Sequence, residues 1–194
     1  MPVTRFEDLD LTRQYTYADY LTWAFQERVE LLRGWIARMS PAPNMRHQRI
    51  ATDLTVRLGN HFLDGPCALF TAPFDVRLPR TSGGETVVQP DLCVICDRAK
   101  LTEQGCTGAP DWMIEILSPG NSKREVGDKF SLYEESGVRE YWVVNPLEEH
   151  VLRYVLRDGT YVGLAPRTSD DERIGSEVFP DIALSGAEVF ALES

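Results

Sequence analysis

The sequence predicts a mixed α/β domain, an α+β arrangement with helices laid against a mixed sheet. Three observations carry that prediction. Asn44 caps an amphipathic helix running to about Leu63, with His47, Ile50, Ala51, Leu54 and Leu58 on one face at spacings of three and four. The run Trp112-Met113-Ile114-Glu115-Ile116-Leu117 is short, apolar and bounded by turn signals, as in a central strand buried on both faces. Strands then alternate with helical segments on either side of it, the layout of a sheet covered by helices.

The remaining elements follow in chain order. Residues 1–14 are polar and are expected to form a flexible arm ahead of one domain spanning 15–194. Thr16, with Asp19 three residues on, makes a capping-box start for a helix from Tyr17 to about Phe25. Val29 to Met39 reads as two short strands turning at Arg33-Gly34. Phe70 to Leu78 is expected as a strand, since Phe74, Val76 and Leu78 alternate, and a turn over Pro79 to Gly84 leads to a partner strand, Thr86 to Cys96. A loop carries Gly105, Gly108 and Pro110. Ser122, with Glu125 three residues on, opens a helix that Gly137 closes, and Val138 to Val144 is the next strand. Val151 to Leu156 and Tyr161-Val162 form a peripheral hairpin turning at Asp158-Gly159, and the tail from Ile174 to Phe190 holds a strand and a short helix.

Composition narrows the class. The 194 residues suffice for one domain with a full core. No apolar run approaches the roughly 18 residues of a membrane helix, and the N-terminus lacks a signal-peptide layout, so the expected location is cytoplasmic, without a membrane partner. In that setting the four cysteines are expected as thiols. A net charge of −10 works against non-specific adhesion to nucleic acid.

The informative residues are ionisable ones inside apolar stretches, because buried charges need a partner or a metal. Glu115 is a lone carboxylate in the central strand. Asp91 opens Leu92-Cys93-Val94-Ile95 just after Pro90, which has no N–H to give a sheet. Lys129 falls among Val126, Phe130 and Tyr133 on the inner stripe of its helix, Glu30 is flanked by Val29 and Leu31, and His47 leads its helix face. Each has an ordinary alternative: a Glu holding loop N–H groups, a Lys reaching water along its stem, a core His with one hydrogen bond, an Asp capping a turn. Converging, they form a cation site beside an ammonium. Asp91 and Glu115 are suited to Mg2+ (or Mn2+), which takes one or two carboxylates plus water, and phosphodiester hydrolysis is the chemistry that uses such a set.

These residues also resemble a known pattern. Gln89-Pro90-Asp91, Glu115-Ile116-Leu117-Ser118-Pro119, Asp128-Lys129 with Tyr133, and Gly137-Val138-Arg139-Glu140-Tyr141-Trp142-Val143-Val144-Asn145-Pro146 resemble the Uma-two family, a bacterial group of restriction-endonuclease-like proteins of the PD-(D/E)XK superfamily. Glu30-Leu31-Leu32-Arg33-Gly34, His47 and Val178-Phe179-Pro180 extend the likeness to most of the chain. The resemblance implies a restriction-endonuclease-like core sheet flanked by helices, with extra strands. It implies that Asp91 and Glu115 are metal ligands and that Glu30 is a further catalytic acid. The superfamily's Asp/Glu-x-Lys would put lysine where Leu117 stands. The family's lysine is then expected on the following helix, at Lys129, with Lys123 as the fallback and His47 as a supporting residue.

The expected function is therefore metal-dependent endonucleolytic cleavage of DNA by a homodimer, pairing being suggested by the apolar peripheral hairpin. The competing classes are an inactive nuclease-fold binding or assembly module, which Leu117 and the net charge favour, and a hydrolase of a small phosphorylated substrate. Cys93-x-x-Cys96 with Cys67 and Cys106 invites a zinc reading, but residues three apart on a strand face opposite sides. Tyr141 and Trp142 could stack on bases, though an apolar strand favours core packing, and Arg46, Arg49, Lys123 and Arg124 could form a basic rim or a solvated helix surface.

Overall fold

The computed structural model describes residues 2–39, 44–81, 83–118 and 123–190. In chain order the elements are α1 (Tyr17–Tyr20), β1 (Val29–Leu32), β2 (Trp35–Arg38), α2 (Met45–Phe62), β3 (Ala68–Thr71), β4 (Val76–Thr81), β5 (Gly84–Val88), β6 (Leu92–Ile95), β7 (Leu101–Thr102), β8 (Gly105–Thr107), β9 (Trp112–Ile116), α3 (Lys123–Ser136), β10 (Glu140–Asn145), β11 (His150–Arg157), β12 (Thr160–Gly163), β13 (Arg167–Thr168), β14 (Ile174–Gly175), β15 (Ala183–Leu184) and α4 (Gly186–Phe190). The strands build a first sheet ordered β2-β1-β5-β4-β8-β7, a second ordered β12-β11-β10-β9-β6-β3 with β13 beside β11, and the small pair β14-β15.

Strand β9 is central, antiparallel to β6 and parallel to β10, which it reaches through α3. Alternation along it separates two cores. Trp112, Ile114 and Ile116 face α2, whose Ile50, Leu54, Leu58 and Phe62 cover that side together with the tail. Met113 faces the other side, where Leu132 and Tyr133 of α3 meet Val76, Leu78 and Val88 of the first sheet. The first sheet's outer face carries a third cluster, Val29, Leu31 and Val87. Residues 2–14, expected as a loose arm, place Phe6 and Leu9 in it.

Several expected elements are shorter. The capping box of Thr16 and Asp19 is present, but α1 ends at Tyr20 rather than Phe25, and Trp23 and Phe25 pack beyond it into the third cluster. Phe70 to Leu78 is two strands in different sheets, because Pro73 has no N–H for a ladder. The run 86–96 likewise divides at Gln89-Pro90-Asp91, β5 staying in the first sheet and β6 joining the second. The segment expected as a loop holds β8. The hairpin turn at Arg33-Gly34 is as expected, with both residues at positive φ (52° and 83°). Gly137, at φ 84°, closes α3, while Ser122, the expected cap of that helix, lies outside the described residues.

The cysteines require a correction. Cys67 and Cys96 form a disulfide, and only Cys93 and Cys106 are thiols, both buried. The pairing of β3 with β6 puts Ala68 opposite Ile95, so the flanking cysteines meet. The Cys93-x-x-Cys96 pair is thus split between a core thiol and a disulfide. No helix among the described residues is long and apolar enough to cross a membrane.

Glu140 is a buried acid that does not figure among the expected site residues. Fully enclosed at the start of β10, its Oε1 accepts from Trp142 Nε1 (2.6 Å), and its Oε2 from Ser176 Oγ (2.6 Å) and the backbone N–H groups of Glu177 (2.9 Å) and Val178 (2.8 Å). It fixes the C-terminal segment to the second sheet. Replacing Glu140 by Ala strands four donors, so urea denaturation should show a loss of at least about 3 kcal/mol. A loss under about 1 kcal/mol would contradict this role.

Candidate functional site

The site forms where the break at residues 89–91 meets the end of β9. Cys93 pairs with Met113 and Leu92 with Ile114 across β6 and β9, so continuing the register brings Asp91 opposite Glu115. Asp91 Oδ2 accepts the N–H of Ile116 (2.8 Å), which fixes the carboxylate against the neighbouring strand. Glu115 shares the face of Met113, toward α3. Glu30 arrives from β1 by the same alternation: Val29 and Leu31 point to the outer cluster and Glu30 to the inside.

Lys129 joins them. Its ammonium lies 2.9 Å from Glu115 Oε1 and 3.0 Å from Glu30 Oε1, and one turn further along α3 the Tyr133 hydroxyl donates to the same Glu115 oxygen (2.6 Å). Glu30 Oε1 also accepts the backbone N–H of Gln89 (2.9 Å). Gln89 in turn donates through its side chain to Asp75 (2.8 Å) and accepts from Arg28 (2.9 Å). On the other flank His47 Nε2 lies 3.3 Å from Asp91 Oδ2, placed by the first turn of α2, where Asn44 caps the His47 N–H. Glu30, Lys129, Glu115, Asp91 and His47 thus occupy one contiguous region. The side chain of Lys123 lies outside the described residues. Leu117 is tied to β10 through its N–H to Val144 O (2.8 Å) and brings no charge.

The region is graded in exposure. Glu30 and Lys129 side chains are 3% and 8% exposed, Glu115 12% and Asp91 21%, so the lysine pair forms the floor and the two strand acids reach toward solvent. Burial pushes the Glu115 carboxyl up to about 7, with Asp91 and Glu30 adding to the shift, and Lys129 and the Tyr133 hydroxyl only partly opposing it. Burial also disfavours the Lys129 ammonium, but Glu115 and Glu30 together outweigh it and hold Lys129 well above its usual range. Lys129 therefore stays charged, while Glu115 titrates near neutrality.

A divalent cation fits part of this set. Asp91 Oδ1 and Glu115 Oε2 accept no hydrogen bond among the described residues, leaving two hard oxygens on partly exposed carboxylates. Glu115 is short of compensating positive charge, which a cation would supply. No group of three His, Cys, Asp or Glu side chains arranged for a metal occurs among the described residues, so such an ion would complete its shell with water or substrate oxygens, as magnesium usually does. Glu30 is turned to Lys129 instead.

The other sequence candidates fall elsewhere. Tyr141 and Trp142 are buried in the two cores. Arg46 is paired with Glu149 and Arg49 with Asp53. Tyr133 was legible as an inner-stripe residue but not as the donor to Glu115, because its spacing of four from Lys129 gives proximity without saying which oxygen it meets.

Comparison with known proteins adds the family. The family model described as “Uma2: Putative restriction endonuclease” matches residues 17–187. This chain belongs to that family. An uncharacterized protein of Synechocystis sp. (strain ATCC 27184 / PCC 6803 / Kazusa) is 27% identical over 157 residues, covering 78% of this chain and 80% of that one. A crystal structure from Anabaena variabilis ATCC 29413, described as “a putative nuclease belonging to DUF820”, superposes with a TM-score of 0.73 over 91% of this chain and 97% of that one. At 22% identity the Anabaena protein establishes that the Uma2 chain shares its fold.

The raised Glu115 gives a test with a definite sign. Its folded value, about 7, lies above the ordinary 4.5, so the stability it contributes is full below about 4.5 and is lost as pH rises through about 7. Gln stays neutral and removes that slope. In melts without divalent cation, wild type should lose about 1–3 kcal/mol relative to Glu115→Gln between pH 4.5 and 8. Parallel curves would contradict the raised value.

Proposed function

We propose that this chain is a Mg2+- or Mn2+-dependent endonuclease that hydrolyses DNA phosphodiester bonds, with Asp91 and Glu115 as metal ligands, Lys129 as a catalytic cation and Glu30 as its support. The observation that carries this reading is the meeting of two strand acids, each with an oxygen free of hydrogen bonds, beside a buried ammonium. A bound divalent cation would polarise the phosphoryl group and make a water molecule more acidic.

The chain's own residues account for the rest. Lys129 has three N–H donors and commits two, one each to Glu30 and Glu115, leaving one for a phosphate oxygen as charge builds on it. Glu30 keeps that ammonium at the floor. Tyr133 fixes the Glu115 carboxylate by occupying Oε1, so that Oε2 would be the oxygen available to a cation. His47 and the Ile116 N–H do the same for Asp91, holding Oδ2 and leaving Oδ1. These second-layer contacts orient the acids before anything binds.

Membership of the family described as “Putative restriction endonuclease” supports nucleic acid as the substrate class. The net charge of −10 makes attraction to DNA depend on the local cation and Lys129 rather than on the whole surface. A homodimer belongs to the same reading, the outer hairpin leaving Val162 of β12 41% exposed.

Incubation of plasmid and single-stranded DNA with the protein and Mg2+ or Mn2+ tests this directly. Wild type should cleave, and Asp91→Asn and Glu115→Gln should fall to background. Lys129→Met should lose about 10²–10³-fold in rate while still binding metal in calorimetry, and Glu30→Gln about 10–100-fold. No cleavage by wild type, or equal cleavage by the Asp91 variant, would remove the proposal, and the additional absence of metal affinity would favour a non-catalytic module.

A further inference from the structure

A second polar feature lies away from the acid region, on the side of the second sheet that β13 extends. Arg153 of β11 and residues between 164 and 180 line a cavity of about 790 Å³, with Arg167 and Arg173 in its wall. Arg153 is the anomaly. On β11 the residues two before and two after it, Val151 and Val155, are buried and apolar, and Arg153 occupies the inward position between them with only 6% exposure. A charge in such a place calls for a partner.

The chain gives it only carbonyls. Arg153 Nη1 donates to Gly175 O (2.7 Å) and Nη2 to Ala165 O (3.2 Å), while Nε is buried without a partner. A guanidinium has five N–H donors, so three stay unused. Among the described residues Arg153 forms no ion pair. Arg167 beside it donates from Nη1 to Asp171 (2.9 Å), and its Nε too is buried and unpartnered. Burial and the neighbouring Arg167 both hold the Arg153 guanidinium below its usual range, although Glu140, Glu177 and Asp171 lie near enough to oppose them.

We propose that this cavity binds a phosphate group, with Arg153 as the buried anchor and Arg167 and Arg173 as further donors. Two guanidiniums with spare N–H groups match the several oxygens of a phosphate better than the two of a carboxylate. The wall also contains four acids, Asp170, Asp171, Glu172 and Glu177. Asp171 is spent on Arg167 and on Thr168 and Glu177 is paired with Arg157, but Asp170 and Glu172 leave the mouth unfavourable to an extended polyanion. A small phosphorylated molecule that reaches Arg153 therefore fits better than a nucleic-acid backbone. This site is independent of the reading of Asp91 and Glu115.

Thermal melts and calorimetry of the full chain in EDTA, with inorganic phosphate, pyrophosphate or a short oligothymidylate as probe, test the proposal. At ten times its dissociation constant a bound phosphate probe should raise the melting midpoint by about 3–6 °C. Glu115→Gln should bind it like wild type, Arg153→Met should not bind, and the half-buried Arg167→Gln should lose about tenfold or more in affinity. The Arg167 variant keeps the test decisive if Arg153→Met fails to fold. Oligothymidylate binding with the same dependence on Arg167 would overturn the assignment to a small molecule and move the phosphate to a nucleic-acid backbone. No shift with either phosphate probe, or a shift unchanged in Arg167→Gln, would overturn the site itself.

Discussion

The Lys129 ammonium, shared by Glu30 and Glu115, is the contact on which the rest of the molecule turns. It joins three elements that no short-range pattern brings together: β1 of the first sheet, β9 of the second and α3 between them. A buried ion triad adds little stability over well-packed apolar groups, but removing one member leaves a charge stranded. Its value here is positional. The two sheets cannot slide past one another without separating Lys129 from one of its acids, so the triad fixes where Glu115 lies relative to the broken strand that delivers Asp91.

That geometry leaves Glu115 unbalanced in a useful way. Burial disfavours its charged form, one ammonium serves two carboxylates, and Asp91 is a third negative group close by, so Glu115 ionises only near neutrality in the absence of another cation. Asp91 and Glu115 each keep one oxygen without a donor among the described residues. Under the proposed function, Asp91 and Glu115 would hold a divalent ion that supplies Lewis-acid chemistry, and Lys129 would add a positive charge for a phosphate oxygen. The arginine cavity shows the opposite imbalance, a buried positive charge lacking an anion. The two features lie on different parts of the second sheet, and each is read from the same rule: a buried charge without its counterpart marks where a ligand belongs.

Much of this was legible in the sequence, for reasons that can be named. Glu115 stood out because β9 is apolar on both faces, so a single carboxylate breaks the pattern. Lys129 stood out by helical period, and His47 likewise. Helix α2, the central strand and the outer hairpin at Asp158-Gly159 follow from periodicity and turn chemistry that depend only on near neighbours. The strand divisions were harder. Pro90 signalled weak pairing and Pro73 lay inside an expected continuous strand, but whether a chain bends within one sheet or crosses to another depends on the partner strands, which are remote in sequence. The Cys67–Cys96 bond required the β3–β6 register, and a compositional argument about redox setting pointed the other way. Glu140 and Arg153 were missed for a related reason. Glu140 sits at the start of its strand and Arg153 in the expected peripheral hairpin, places where a charge ordinarily faces solvent, so the anomaly appears only once the facing segment, residues 164–180, is in place.

The most direct measurement is a crystal soaked in manganese and recorded at a wavelength where the ion scatters anomalously. The account predicts one anomalous peak between the free oxygens of Asp91 and Glu115, with Lys129 still bound to Glu30. A fully soaked crystal with no peak there, or with the ion seated on Glu30 in place of Lys129, would contradict it.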